Sequence, residues 1–209
     1  MPTRPDVSRG KGLVRTYELF EDLQADVIRA YEMLGKRSNS QFLRRTTVRA
    51  IFALIEASVE IIKSEVRSTI RVEGGEDHLS KKELEVLGGL SITTRSRDQK
   101  LLPLEENLKI TFKIAAKIWG LAEFQLDAGG EDYRDFLQAK GARNRLTHPK
   151  MYYDTQVSDE DMHCHTVAFR WSCHEFDRLF QNRFRQLLEQ LPEEDTKAII
   201  NELGHTGGT

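Results

Sequence analysis

The sequence predicts an all-α protein, and three observations support that fold class. Apolar residues recur at three- and four-residue intervals along several long segments, which is the pattern of helices that bury one face. No segment of useful length shows the alternating pattern of a half-buried strand. Glycine and proline stand where the apolar segments begin or end, and both residues favour helix boundaries over helix interiors.

The composition sets the general class of the protein. With 209 residues, of which 39% are hydrophobic, the chain is long enough for one core and too apolar for full disorder. Lys and Arg total 31 against 33 Asp and Glu, a formal net charge of -2, which excludes a uniformly basic nucleic-acid-binding surface. Neither a long uncharged apolar run nor an apolar signal core is present, so we expect a cytoplasmic protein that does not span a membrane.

We divide the chain into three predicted parts. Residues 1–12 carry two prolines and two glycines and are predicted to form a flexible N-terminal arm. Residues 13–191 hold the long apolar stripes and are predicted to form one helical domain with five or six main helices. Residues 192–209 are predicted to contain a short amphipathic helix, over 194–203, and a tail.

Two long helices are predicted first. One covers 16–34 and ends at Gly35. The other covers 40–71 and ends before Gly74 and Gly75. Its apolar stripe, at three- and four-residue spacing, consists of Val48, Ile51, Leu54, Ile55, Val59, Ile62 and Val66.

Two shorter helices are predicted next. Over 80–87, Ser80 is followed three positions later by Glu83, which matches a capping box. A polar loop over 89–103 then precedes a helix that starts at Pro103, because proline suits the first turn. The apolar stripe of that helix consists of Leu104, Leu108, Phe112, Ala115, Ile118 and Trp119.

Two more helices are predicted before the C-terminal part. A helix over 131–147 ends before Pro149. Another long helix covers 159–191. Ser158 is its predicted N-cap, because it stands just before an acidic first turn.

Basic residues are concentrated in two windows without acids. Residues 36–49 hold five bases, and residues 137–150 hold four. One interpretation is two solvated helix faces; the other is two basic surfaces that meet around an anionic ligand such as a phosphate backbone. The bases are Lys36, Arg37, Arg44, Arg45 and Arg49 in the first window and Lys140, Arg143, Arg145 and Lys150 in the second.

The stretch from Ala142 to Pro149 is the most informative part of the sequence. Arg143 and His148 are five residues apart and would diverge by about 140° on a continuous helix. Because Pro149 disfavours the helical conformation at the preceding residue, we expect the chain to leave the helix at His148 and the imidazole to turn back toward Arg143. Asn144 lies one turn before His148 and is placed to orient the imidazole by a hydrogen bond.

This stretch resembles the Arg-polar-x-x-x-His motif of the HEPN superfamily. Proteins of that family are all-α, built as a helical bundle with two long helix pairs. Residues 44–56 look like the early long helix of such bundles, and the motif falls just before the last long helix, as the family pattern expects. The resemblance spans roughly residues 15–190 in element order and implies an HEPN-like bundle with a short C-terminal helix.

The resemblance also implies an activity. Many HEPN proteins are metal-independent ribonucleases that act as dimers, so it implies an RNA substrate, a homodimer, no metal and no cofactor. Arg143 and His148 would carry the chemistry, with Asn144 as the polar residue that orients the imidazole. The family setting is a toxin or antiviral-defence effector, with a possible antitoxin or defence-system partner protein.

Five further residues are predicted to bind substrate or support the site. Arg145 and Lys150 belong to the same basic window as the motif. Arg45, Arg49 and Glu56 fall on one side of a helix, since spacings of four and seven residues return near the same face. Arg49 is then expected to face phosphate and Glu56 to position an arginine of the motif. The alternative is an intrahelical salt bridge or a polar contact at the end of the bundle.

Two competing hypotheses remain at this point. In the first hypothesis, the chain is a non-catalytic HEPN module that binds a protein or nucleotide partner. In the second, it is a plain helical scaffold in which His148 caps a helix end. The intact motif favours the enzyme over the module, because the motif is often degraded in non-catalytic members.

Other residues invite a functional interpretation that helical geometry does not favour. The histidines and cysteines of 163–174 point in different directions on a helix, so we expect core thiols and surface histidines and no zinc site. Cys164 and Cys173 are too far apart on one helix for a disulfide. Trp119 is predicted to lie in the core, whereas Trp171 suits either the core or a dimer interface.

Overall fold

The computed structural model describes residues 7–88, 102–190, 192–193 and 196–197, and within these ranges it contains helices and no strand. The predicted all-α class is therefore confirmed. The helices are α1 (Val7–Gly35), α2 (Gln41–Glu73), α3 (Lys81–Val86), α4 (Leu104–Ile118), α5 (Glu131–Thr147) and α6 (Asp159–Gln190). Two short 3-10 helices cover Glu76–His78 and Tyr152–Thr155. No helix in the described ranges is both long and apolar enough to cross a bilayer.

The predicted helix boundaries agree closely with the structure from α2 onward. Helix α5 has the predicted bounds, and α2, α3 and α6 differ from prediction by one or two residues at an end. Most of the predicted loop over 89–103 and most of the predicted C-terminal helix over 194–203 lie outside the described residues.

The N-terminal arm was predicted too long. Helix α1 begins at Val7, so residues 7–12 are helical, whereas the first six residues lie outside the described part. Glycine in a helix costs only about 1 kcal/mol relative to alanine, and the side chains of Leu13 and Val14 are buried directly after the two glycines. Burial of the following turn is therefore sufficient to keep this glycine-containing segment helical.

The chain forms two compact units, whereas the sequence predicted one helical domain over 13–191. The first unit comprises Met1–Leu19, Val59–Leu126 and Asp177–Thr209. The second comprises Phe20–Ser58 and Asp127–Phe176 and contains all eight predicted site residues.

Trp119 lies in the core of the first unit, as predicted. Its side chain is buried and its indole Nε1 donates to Thr69 Oγ1 over 3.2 Å. The guanidinium of Arg183 lies 5.5 Å from the centre of the indole ring and forms an ion pair with Glu73. The indole is thus hydrogen-bonded and covered by a cation that has its own partner.

The capping box predicted at the start of α3 is present in this unit. Glu83 N donates to Ser80 Oγ over 3.3 Å, and Ser80 N donates to Glu83 Oε2 over 2.8 Å. Burial alone would raise the pKa of Glu83, but the hydrogen bonds from Ser80 and the charge of Lys117 outweigh it and hold the pKa below its ordinary value. The carboxylate is therefore stabilised in its charged form.

The second unit has an aromatic core. Phe136 lies 5.1 Å from Trp171 between ring centres and 6.4 Å from Phe52. Trp171 is buried and its Nε1 donates to the carbonyl of Asp127 over 3.0 Å. Of the two locations considered for Trp171, the structure places it in the core. Phe52 connects this aromatic cluster to the predicted site.

Candidate active site

The predicted motif lies at the C-terminal end of α5. Thr147 is the last residue of the helix, and His148 follows with φ of -128° and ψ of 59°, outside the helical region. The backbone N–H of His148 still donates to the carbonyl of Asn144 over 3.0 Å. The chain therefore leaves the helix where Pro149 was predicted to end it.

Arg143 is held by two side-chain acceptors. Its Nη2 donates to Glu56 Oε1 in an ion pair, and its Nη1 donates to Asn144 Oδ1 over 3.3 Å. A guanidinium has five N–H donors, so these bonds leave three without a partner among the described residues. The side chain is 30% exposed. Arg143 thus combines a fixed position with donors still available to an anion.

Phe52 forms the apolar surface next to Arg143. The Arg143 guanidinium carbon lies 5.9 Å from the centre of the Phe52 ring, and the ring is buried. Phe52 is itself held edge-on by His165, at 5.7 Å between ring centres, and stacked by Phe136. Contact with a buried ring on one side and with Glu56 on another restricts the guanidinium. The sequence offered no signal for this role beyond the position of Phe52 between Arg49 and Glu56.

His165 is a buried histidine and not a surface one, which corrects our expectation for the histidines of α6. It shares a buried face of the helix with Ala168 and Ser172, three and seven residues later. Its Nδ1 donates to the carbonyl of Asp161 over 2.6 Å, and its Nε2 has no hydrogen-bond partner among the described residues. Burial lowers the pKa of His165, because desolvation opposes the charged imidazolium. This ring therefore stays neutral in the core.

His148 differs from His165 in being exposed. No hydrogen bond or ion pair involves its ring among the described residues. Asn144 Oδ1 accepts from Arg143 and not from His148, so the role of Asn144 in orienting the imidazole stays a prediction. The imidazole is open to solvent and available to a ligand.

Arg45 and Arg49 line a groove next to the motif. Its volume is about 450 Å³. Arg45 donates from Nη1 to the carbonyl of Thr155 over 3.1 Å, while Arg49 is exposed and has no partner among the described residues. Pro149, which directly follows His148, also lines the groove. The complete lining is Gln41, Arg45, Arg49, Leu146, Pro149, Tyr152, Thr155 and Gln156, which includes two cations and no carboxylate.

Arg145 lies apart from that groove. Its Nη2 pairs with Asp161 Oδ2 over 3.0 Å and with the carbonyl of Gln156 over 3.4 Å. It lines a second groove, of about 740 Å³, together with Arg44, which pairs with Asp159. We refer to the first as the arginine groove and to this one as the acidic groove, since three aspartates line the latter.

Lys150, the remaining predicted substrate-binding residue, is exposed at the start of the segment that follows α5. Its backbone N–H donates to Asp154 Oδ2 over 2.7 Å. The structure therefore brings Arg143, Asn144 and Glu56 into direct contact, places Arg45 with Arg49, and places Lys150 between the motif and Tyr152. Arg145 joins neither group.

Neither cysteine forms a disulfide, and both are buried. The Sγ of Cys164 lies 3.2 Å from Gln138 Oε1. Burial and then the charge of Asp135 raise the pKa of the Cys164 thiol, so the thiol stays protonated. Among the described residues, no group of three or more His, Cys, Asp and Glu side chains is arranged to hold a metal ion.

Comparison with known proteins identifies no relative of this chain. No family model, no curated protein and no solved structure matches the chain.

Proposed function

We propose that this protein is a metal-independent endoribonuclease of HEPN type that cleaves RNA to 2',3'-cyclic phosphate ends. One observation carries the proposal. Arg143 is fixed by Glu56 and Asn144, retains free donors, and lies on the same helix end as the exposed imidazole of His148. A fixed cation at the same helix end as an acid–base side chain suits phosphoryl transfer. The approach of the imidazole to Arg143 stays a prediction.

The proposed reaction needs only these side chains and the RNA. The ribose 2'-hydroxyl attacks the adjacent phosphorus, and the bond between phosphorus and the 5' oxygen breaks. His148 acts as the general base for the 2'-hydroxyl or as the general acid for the leaving oxygen. Arg143 stabilises the negative charge that develops on the phosphorane. The products are a 2',3'-cyclic phosphate and a 5'-hydroxyl, and no cofactor takes part.

The biological setting follows from the HEPN resemblance. In that setting the protein is a cytoplasmic homodimer, in which two motifs face one RNA. It acts as a toxin or an antiviral-defence effector, and an antitoxin or another defence protein controls it.

A second candidate is a non-catalytic HEPN module that binds a protein or nucleotide partner. The ion pair between Arg143 and Glu56 is compatible with this candidate, because an arginine with a purely structural role would also form such a pair. The two candidates differ in whether the motif side chains are needed for chemistry.

RNA cleavage by purified protein in excess EDTA tests the proposal. The wild type is expected to generate 2',3'-cyclic phosphate ends, and Arg143→Ala and His148→Ala are each expected to slow cleavage by at least about a hundredfold. Arg134→Ala and His163→Ala are matched controls. Arg134 is an exposed arginine of the same helix, paired with Glu131, and His163 is an exposed histidine of α6.

Two results would count against the enzyme. Equal loss of activity in the controls would mean that cleavage comes from a contaminant or depends on overall charge. No cleavage by a folded wild type, with partner binding that requires Arg143, would support the binding module instead.

A further inference from the structure

The segment that follows the motif presents two aromatic rings to solvent. Tyr152 is 74% exposed and Tyr153 is 77% exposed. Met151, directly before them, is also exposed. Single exposed apolar residues are common on protein surfaces, but a cluster of three in consecutive positions indicates an interaction site.

The backbone under these rings is held in place. Asp154 Oδ2 accepts from the backbone N–H of Lys150 over 2.7 Å and from that of Met151 over 3.0 Å. Thr155 Oγ1 donates to the carbonyl of Tyr152 over 2.7 Å, and Arg45 donates to the carbonyl of Thr155. The rings are therefore exposed on an ordered short helix, so little entropy is lost when a ligand binds to them.

The two tyrosines lie in different electrostatic surroundings. Tyr152 lines the arginine groove with Arg45 and Arg49, where no carboxylate is present. Tyr153 lines the acidic groove, where three aspartates stand against two arginines and each arginine already pairs with one of the aspartates. A polyanion is therefore favoured more beside Tyr152 than beside Tyr153.

An exposed aromatic ring beside two arginines that form no ion pair among the described residues matches the chemistry of single-stranded nucleic acid binding. Each base offers a π-face that stacks on an aromatic side chain, and the phosphates on either side meet the cations. Bases inside a duplex are already stacked on their neighbours, so only an unpaired base can occupy such a ring. The arginine groove also includes Pro149, the residue after His148, so a nucleotide in the groove lies next to the motif.

We infer that Tyr152 stacks an unpaired nucleobase while Arg45 and Arg49 contact the neighbouring phosphates, so that the substrate class is single-stranded RNA. This inference rests on the proposed function for the identity of the ligand, but it concerns binding and not the chemical step.

A non-cleavable single strand separates binding from chemistry. Fluorescence anisotropy with a labelled 2'-O-methyl oligonucleotide measures Kd for the wild type, Tyr152→Ala, Tyr152→Phe and Tyr153→Ala. Tyr152→Ala is expected to weaken binding by about tenfold or more, because base stacking on an aromatic ring has that magnitude. Tyr152→Phe keeps the ring and is expected to bind within about twofold of the wild type.

Tyr153→Ala is the matched control, since it removes an equally exposed neighbouring ring. It is expected to bind within about twofold of the wild type. A duplex of the same sequence is expected to bind more weakly than the single strand and to be insensitive to Tyr152→Ala. Unchanged circular dichroism and Tm for both alanine variants confirm that the fold is kept.

Several outcomes overturn the inference. These are equal Kd for Tyr152→Ala and wild type, equal losses for both tyrosines, and no binding of the single strand by the wild type. A change in oligomeric state on Tyr152→Ala without a change in Kd would assign the ring to a protein interface. If the single strand binds in a way that needs Tyr152 but RNA is not cleaved, the proposed function fails and the inference stands. If RNA is cleaved and Tyr152 plays no part in binding, the inference fails and the proposed function stands.

Discussion

At the scale of single residues, Arg143 illustrates how a charged side chain is prepared for a ligand. An arginine on a surface helix has several flexible bonds, and fixing it for an anion costs conformational entropy at each binding event. Here Glu56 and Asn144 hold two of its N–H donors, and Phe52 supports the guanidinium from below. That entropy cost is met on folding and not on ligand binding.

The first prediction concerns Glu56 as a positioning residue. In Glu56→Ala the guanidinium loses its main acceptor, so we expect kcat for RNA cleavage to fall by about tenfold or more while KM changes by less than about twofold. Glu56→Gln keeps an oxygen acceptor and is expected to recover much of the loss. Single-turnover and steady-state rates on one RNA measure both parameters.

The control for this prediction is Glu60→Ala, which removes another carboxylate of α2. Glu60 pairs with Lys63 and has no bond to the motif. A Glu56→Ala enzyme as active as the wild type, or more so, would mean that the carboxylate restrains Arg143 instead of positioning it.

At the scale of elements, the segment between α5 and α6 is fastened to the start of α2 by Arg44 and Arg45, which each donate to one of its carbonyls, and by the amide side chain of Gln41. Gln41 Nε2 donates to the carbonyl of Val157 over 3.1 Å, and Gln41 Oε1 accepts from the N–H of Val157 over 2.9 Å. Val157 is buried, so its backbone groups need protein partners. Gln41 thus acts as a two-bond clamp on the segment that carries Tyr152.

The second prediction follows from this clamp. Gln41→Ala leaves the buried N–H of Val157 without its acceptor, so we expect the free energy of unfolding to fall by about 1 to 2 kcal/mol. Urea denaturation measures the loss. Asn39→Ala, an exposed amide with no partner among the described residues, is expected to stay within about 0.5 kcal/mol of the wild type. Equal stability of the two variants would show that the clamp contributes nothing.

The same elements show which features a sequence can predict. Ser80 and Glu83 form the capping box of α3 that their spacing indicated. Ser158 caps α6 as its position before an acidic first turn indicated, and it does so by two reciprocal bonds of 3.0 Å with Asp161. Pro149 ends α5 where expected. These signals act between residues a few positions apart, so local physics determines them.

Contacts between distant parts of the chain were harder to predict. Gln41 and Val157 are 116 positions apart, and nothing in either neighbourhood indicates the pairing. Glu56 and Arg143 are 87 positions apart, and helical spacing alone left a salt bridge within α2 open as the alternative. Tertiary packing decides such pairs, and a single sequence carries little trace of it.

At the scale of the whole molecule, the opposite charges that balance in the composition also form ion pairs in the folded chain. Residues of the two basic windows are paired with acids from elsewhere: Arg44 with Asp159, Arg145 with Asp161, and Arg143 with Glu56. Some of the charges that cancel in the net charge of -2 therefore lie far apart in the sequence and meet as ion pairs in the fold.

The third prediction is that RNA binding depends only weakly on salt. Arg45 and Arg49, the cations of the arginine groove, form no ion pair among the described residues. Two further cations are counted: Lys150, which directly follows the groove residue Pro149, and Arg143 of the motif. Each phosphate contact on a single strand contributes about -0.7 to the slope of log K against log salt, so two to four contacts give about -1.4 to -2.8 for each protomer. The slope follows from Kd for the 2'-O-methyl strand between about 50 and 300 mM NaCl.

Substitutions of arginine show whether the salt dependence comes from the arginine groove. Arg49→Ala removes one unpaired cation and is expected to make the slope shallower by about 0.7, whereas Arg134→Ala, already paired with Glu131, is expected to leave it unchanged. A slope steeper than about -5 for each protomer would mean that RNA contacts an extended basic surface. That result would contradict confinement of RNA to this groove, because the paired arginines would then have to exchange their acids for phosphates.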